Sequence, residues 1–219
     1  FTFAFPIIML LIFGAVFSGD VGPGVSFTQY FTAGMIAAGV VMSSFQTLAI
    51  SIAMERDDGT LKRLRGTPMP PLAYFLGKIG LVLVTALAQT VILLAVGVLV
   101  FDLDLPSTGE LWLRFAAIFL AGTASGTVLG IAFSSLPRSG KSAAAVVSPV
   151  VIVLMFISGV YFVYNDLPAW MRTVAEVFPL KWMAQGMRSI FLPPVMEAAE
   201  VGGSWQLGTG FAVLGAWTV

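Results

Sequence analysis

Four stretches of this chain, residues 29–53, 79–101, 115–136 and 142–163, contain no Asp, Glu, Lys or Arg. A helix rising 1.5 Å per residue needs roughly 20 residues to cross about 30 Å of hydrocarbon, and each stretch has that length. Inside lipid every backbone N–H and C=O must be bonded within the protein, which leaves helices or closed barrels. Barrel strands alternate polar and apolar residues over about ten positions, whereas these runs are apolar on every side. They therefore predict membrane-spanning helices. Composition agrees: 10% of the 219 residues are charged, against about 25% in soluble domains.

The pattern predicts an all-α membrane protein forming one transmembrane domain. Its spans are expected at about 1–17, 29–54, 78–101, 113–136 and 142–164, with an incomplete sixth at 206–219. Both ends read as trimmed. Residue 1 already lies in an apolar run without the basic flank or small-residue cleavage site of a signal peptide, and 207–219 is too short to cross.

Orientation follows from Lys and Arg, which favour the cytoplasmic side. The connection 55–78 carries Arg56, Lys62, Arg63, Arg65 and Lys78, and 137–141 carries Arg138 and Lys141. The connections 18–28 and 102–112 are acidic, with Asp20 in the first and Asp102, Asp104 and Glu110 in the second. The basic connections are expected inside, the acidic ones outside, and both natural termini in the cytoplasm. The long segment 165–205 is then external despite Arg172, Lys181 and Arg188.

Within that segment, Asn165 or Asp166 can cap a helix with Pro168 in its first turn. Trp170, Met171, Val174, Val177 and Phe178 share one face of it, opposite Arg172 and Glu176. After Pro179 a second apolar stripe runs from Leu180 to Phe191, with Lys181, Gln185 and Arg188 as the polar face. Two short amphipathic helices, with Trp170 and Trp182 near their starts, suit the outer membrane interface or a shallow re-entrant hairpin. A small cap packed on the spans is the plainer alternative.

The segment 54–78, MERDDGTLKRLRGTPMPPLAYFLGK, is longer than a hairpin between spans requires. Asp57 or Asp58 can cap a short helix through Leu64, with Leu61 and Leu64 on one side, and Gly66, Pro68, Pro70 and Pro71 stop it. Such a charged, two-sided helix suits docking of a soluble partner; the simpler reading is a positive anchor.

The run Glu55-Arg56-x-x-Gly59-Thr60-Leu61-x-x-Leu64, then Thr67-Pro68 and Gly77-Lys78, resembles the first cytoplasmic loop of ABC-2 type permeases. The run Leu167-Pro168-x-Trp170 through Phe178-Pro179-Leu180 to Arg188 resembles that family's paired external helices before the last span. With the order of spans, the resemblance covers essentially the whole chain. It implies a six-helix, type V exporter-like bundle in the cell membrane, its external pair re-entrant, its coupling helix at about 55–66 and its external helices at about 167–192. It further implies an interface of Glu55, Arg56, Gly59, Thr60, Leu61, Lys62, Arg63, Leu64 and Arg65 with a separate ATP-binding subunit. Arg138 and Lys141 are candidate secondary contacts. ATP and Mg would sit on that partner, with no cofactor in this chain, and a second permease copy or related permease would complete the transporter. The substrate would be amphipathic, drug-like, lipid-like or glycan, with drug export the better match. The family's N-terminal cytoplasmic helix has no counterpart among these 219 residues, in keeping with an end that reads as trimmed.

Ser139-Gly140-Lys141-Ser142 echoes the end of a phosphate-binding loop, but Ser135 stands where the motif needs its first glycine and both flanks are spans. It reads as a turn. Gly122, Gly126 and Gly130 stack on one helical face and let another helix approach closely. Ser43, Gln46, Thr47 and Gln89 are expected to bond between helices, with substrate lining as the sharper alternative.

Several classes are disfavoured. Zero net charge argues against nucleic acid. With no His or Cys there is no obvious catalytic or metal chemistry, so the chain is not expected to be an enzyme by itself. The lack of a mid-span charge disfavours a secondary transporter or channel working without an ATPase.

Overall fold

In the computed structural model every charge-free stretch is built around a helix, because a backbone shielded from water must satisfy its own hydrogen bonds. The structure describes residues 3–17, 19–22, 24–68 and 70–219. Phe1 and Thr2 of the expected first span, Ser18 and Pro23 of the connection after it, and Met69 of the 54–78 segment lie outside the described residues.

Helix α1 (Ala4–Val16) leads into a small antiparallel hairpin, β1 (Asp20–Gly22) and β2 (Val25–Ser26). The next span is one continuous rod in three parts: α2 (Phe27–Val41), a π-helical turn at Met42–Gln46, and α3 (Thr47–Asp57). Ser26 caps it by accepting from the Gln29 N–H at 3.2 Å. A short helix α4 (Thr60–Arg65) precedes α5 (Pro71–Phe101), α6 (Gly109–Phe133) and α7 (Gly140–Ile157). Then follow α8 (Ala169–Val177), α9 (Pro179–Phe191) and α10 (Leu207–Ala216).

Among the described residues, four helical segments are long and apolar enough to cross a membrane: 27–57, α5, α6 and α7. The expected first and sixth spans correspond to α1 and α10, apolar but only 13 and 10 residues long. Helix α5 begins seven residues before the expected 78, because Pro71 occupies its first turn, where a missing N–H costs nothing. Helix α7 stops short of the expected 164. Gly159 has φ +73°, and a Cβ there would lie 2.7 Å from Cβ of Tyr164, so apolar 158–163 leaves the helix.

The core lies between the 27–57 rod, α6 and α9. Here the structure departs from the amphipathic expectation: all 13 residues of α9 are buried, Lys181, Gln185 and Arg188 included. Helix α8 is the reverse, with Trp170, Val174 and Val177 exposed and Ala175 buried. The pair is thus one helix buried within the bundle and one surface helix.

Candidate functional site

Three consecutive side chains in the last turn of α3 reach three different neighbours. Glu55 Oε1 forms an ion pair with Lys78 Nζ, and its Oε2 accepts from Tyr74 Oη at 2.7 Å. Lys78 also donates to Ser51 Oγ at 3.2 Å. Arg56 donates from Nη2 to the Pro137 carbonyl at 2.7 Å, and Asp57 Oδ2 accepts from the Gly140 N–H at 2.9 Å. The end of α3 is therefore keyed to α5 on one side and to the α6–α7 turn on the other.

The expected helix 55–66 is in fact two pieces. Glu55 and Arg56 belong to α3, and the chain turns at Gly59, whose φ of +79° is the left-handed conformation that glycine adopts most easily. Asp58 accepts from the Thr60 N–H at 2.9 Å. Hydrogen bonds from Thr60 hold its carboxyl below the usual carboxylate range. Along α4, Leu61 and Leu64 turn toward α3, α5 and α6 and line a cavity of about 280 Å³ with Ile52, Phe75 and Ile131. Lys62, Arg63 and Arg65 are exposed. Arg138 and Lys141 are exposed on the neighbouring turn that Arg56 and Asp57 hold in place. This end of the bundle thus presents a basic surface on a braced base.

The turn echoing a phosphate-binding loop is a helix cap. Ser139 Oγ accepts from the Ser142 N–H at 3.3 Å, and Ser142 Oγ accepts from the Ser139 N–H at 3.2 Å. The first N–H of α7, on Gly140, is taken by Asp57, so an internal carboxylate occupies the positive end of the helix.

At mid-depth, Ser43 donates to Gln89 Oε1 at 2.8 Å and Gln46 Nε2 donates to Ser148 Oγ at 3.0 Å. Thr47 donates to the Met42 carbonyl at 2.9 Å across the π-turn. Ser43 and Gln89 are buried, their bond joining the rod to α5. Pro149, inside α7, adjoins the Ser148 that Gln46 holds, so two interrupted helices meet there.

The glycine ridge of α6 faces partners within the chain. A Cβ on Gly122 would lie 2.3 Å from the Met183 methyl, and one on Gly126 2.1 Å from Ser44 Oγ. One on Gly130 would lie 2.8 Å from the Ser44 carbonyl oxygen. Met183 has a flexible end that can move aside, but a backbone carbonyl cannot. Gly130→Ala should therefore destabilise by about 1–3 kcal/mol, the usual cost of overpacking, and Gly122→Ala by less. Thermal melts of the purified protein in detergent check the order; equal melting temperatures for both would contradict this packing.

At the opposite end, Trp170 is exposed, while Trp182 is buried and donates from Nε1 to the Glu176 carbonyl at 2.7 Å. Arg188 pairs with Glu200, Nε to Oε1 at 2.7 Å. Neither Glu200 nor the bracing roles of Asp57, Tyr74 and Pro137 follow from the sequence pattern, since each depends on a partner elsewhere along the chain. The signal for Glu200 is its charge, one of two carboxylates, with Glu197, that follow Arg188 in an otherwise weakly polar segment.

Apolar spanning helices and a short basic helix braced at one end define a multi-pass membrane protein. Comparison with known families gives the class: the family model "ABC-2 type transporter" matches residues 1–192, and the chain belongs to that family. It is 24% identical over 170 residues to "Probable multidrug ABC transporter permease YbhR" of Escherichia coli K12, covering 78% of this chain and 45% of that protein. It is 27% identical over 180 residues to "Putative transport permease YvfS" of Bacillus subtilis strain 168, covering 80% of this chain and 70% of that protein. It is also 27% identical over 161 residues to "Probable multidrug ABC transporter permease YbhS" of E. coli K12, covering 72% and 40%. The chain spans less than half the length of YbhR and YbhS.

Proposed function

We propose that this chain is the membrane core of an exporter permease driven by a separate ATP-binding subunit, which carries the ATP and Mg, and that the chain itself is not an enzyme. The observation that supports this most is the bracing of α4. Its basic side chains project outward, while Glu55, Arg56 and Asp57 just before it grip α5 and the α6–α7 turn. A partner pushing on α4, Arg138 and Lys141 would move several spans together.

In this reading the basic end faces the cytoplasm, as do both natural termini, and two permeases pair over two ATPases. Energy passes only through contacts that differ between the inward- and outward-facing states. The π-turn and Pro149 are points where the spans can bend, because both interrupt the regular hydrogen-bond ladder. The substrate is amphipathic and drug-like, lipid-like or glycan; Thr47 is already exposed and Gln46 partly so, whereas Ser43 and Gln89 meet it only if the mid-depth contacts open. The names of YbhR and YbhS, both "multidrug", favour the drug-like class.

Lys62→Glu with Arg63→Glu tests the docking surface, since both side chains are exposed. The full-length permease, co-expressed with its ATP-binding subunit, should lose at least about tenfold in co-purified ATPase, because like charges then oppose. Equal recovery from wild type and variant would reduce α4 to a membrane anchor.

A further inference from the structure

The cavity under α4 has a chemistry that docking of an ATPase does not use. Its walls are Leu61 and Leu64 from α4, Ile52 from α3, Ile131 from α6, and Pro71, Tyr74 and Phe75 from α5, with Arg65 among the lining residues. At about 280 Å³ it is far larger than the space of one water, about 30 Å³ in the liquid. An apolar lining offers water few partners.

Arg65 is the charged residue among those lining it, and two more basic residues share its short helix. Lys62, Arg63 and Arg65 lie within six residues of helix that contain no acid. Among the described residues none of the three forms a salt bridge. The nearby carboxylates are already engaged: Glu55 by Lys78 and Tyr74, Asp57 by Gly140, and Asp58 by Thr60. Arg63 donates to the Asp58 carbonyl at 3.4 Å and to Thr60 Oγ1 at 3.3 Å, and its charge also acts on the nearby Asp58 carboxylate.

The α5 wall also runs on into a surface suited to lipid. Leu72, Phe75, Leu76 and Ile79 are all exposed large hydrophobics on the first turns of a span. An apolar groove that runs on into exposed hydrophobics and carries Arg65, which forms no salt bridge among the described residues, matches a molecule with a hydrocarbon tail and an anionic head.

The geometry points to a binding site for an anionic phospholipid of the adjoining leaflet, one acyl chain in the cavity and the phosphate at Arg65. The lipid would fill the space between α4 and the spans, so the short helix would rest on lipid as well as on its braced base. Leu61 and Leu64 then act as part of the lipid seat. This goes beyond the docking role proposed above, and its test needs no ATPase.

The full-length permease, purified in mild detergent without any partner, is incubated with phosphatidylglycerol or with phosphatidylcholine of the same chains. Native mass spectrometry then counts the lipid retained. Wild type should retain phosphatidylglycerol preferentially, and Arg65→Ala should lower its retention about fivefold, the effect of one basic side chain near an anionic headgroup. Leu61→Trp fills the cavity from α4 and should abolish the preference. Ile131→Trp fills it from α6, so a displaced α4 and a blocked cavity are told apart. Equal retention of the two lipids by wild type would overturn the proposal. So would undiminished phosphatidylglycerol binding in both cavity-filling variants, which would place the lipid elsewhere on the surface.

Discussion

Arg188→Ala is expected to cost about 3–5 kcal/mol, the penalty for stranding one partner of a buried ion pair. The guanidinium is wholly buried, and Glu200 holds it at 2.7 Å through Nε and 3.4 Å through Nη2. Nη1 donates to the Gly159 carbonyl at 3.4 Å, and the Tyr30 ring centre lies 5.0 Å from the guanidinium carbon. One side chain thus joins α9 to the start of α2, the turn after α7 and the segment leading to α10. Removing it leaves Glu200, itself largely buried, without its ion-pair partner. The purified variant should melt well below wild type. Arg188→Met with Glu200→Leu should recover much of the loss, because replacing a buried pair by well-packed hydrophobics is often neutral. Arg188→Lys should not rescue, since an ammonium cannot reproduce the forked geometry. A single Arg188→Ala variant melting like wild type would sink this account.

Glu55→Gln is the second large effect. The carboxylate joins α3 to α5 through Lys78 and Tyr74, and the pair is mostly shielded, with 13% and 26% of the Lys78 and Glu55 side chains exposed. Hydrogen bonds to charged groups contribute about 1.5–3 kcal/mol each, and the residual exposure places this joint toward the lower part of that range. Lys78→Met should cost a similar amount. The double variant should cost less than the two together, which a double-mutant cycle measures directly. In the complex, Glu55→Gln should leave the ATPase bound, because Lys62 and Arg63 are untouched, yet slow the efflux of an amphipathic fluorescent dye. Additive stability losses would show that the two side chains do not act as a joint. Loss of the bound ATPase would show that Glu55 itself is part of the docking face.

Much of the membrane architecture was legible because it depends on local composition. A stretch without charges for twenty residues has no stable place but lipid or a core, and the helices at 27–57, α5, α6 and α7 follow those stretches closely. Helix ends were less legible. Pro71 extends α5 and Gly159 shortens α7, for reasons of backbone geometry that hydropathy does not register. The break inside 55–66 had its sign in Gly59, but a glycine shows only that a turn is allowed there.

The site divides in the same way. Glu55, Arg56 and the basic residues of α4 stand out in the sequence because charges beside a span are few. Their division of labour does not, since it depends on residues far along the chain: Arg56 is held by Pro137, 81 positions away, and Asp57 by Gly140, 83 away. The stripe of α9 is the clearest case. Lys181, Gln185 and Arg188 at helical spacing read as the polar face of an interfacial or re-entrant helix, because a local pattern reports only that polar groups share a side. What that side meets is a tertiary fact, and for Arg188 it is Glu200, a carbonyl released where Gly159 ends a helix, and an aromatic ring on α2. Sequence alone determined that this chain lives in a membrane as helices, since the cost of burying charge and unpaired backbone acts residue by residue. Only the tertiary structure decided which polar groups are buried, because a buried charge is tolerated through its partners, and those are assembled by the fold.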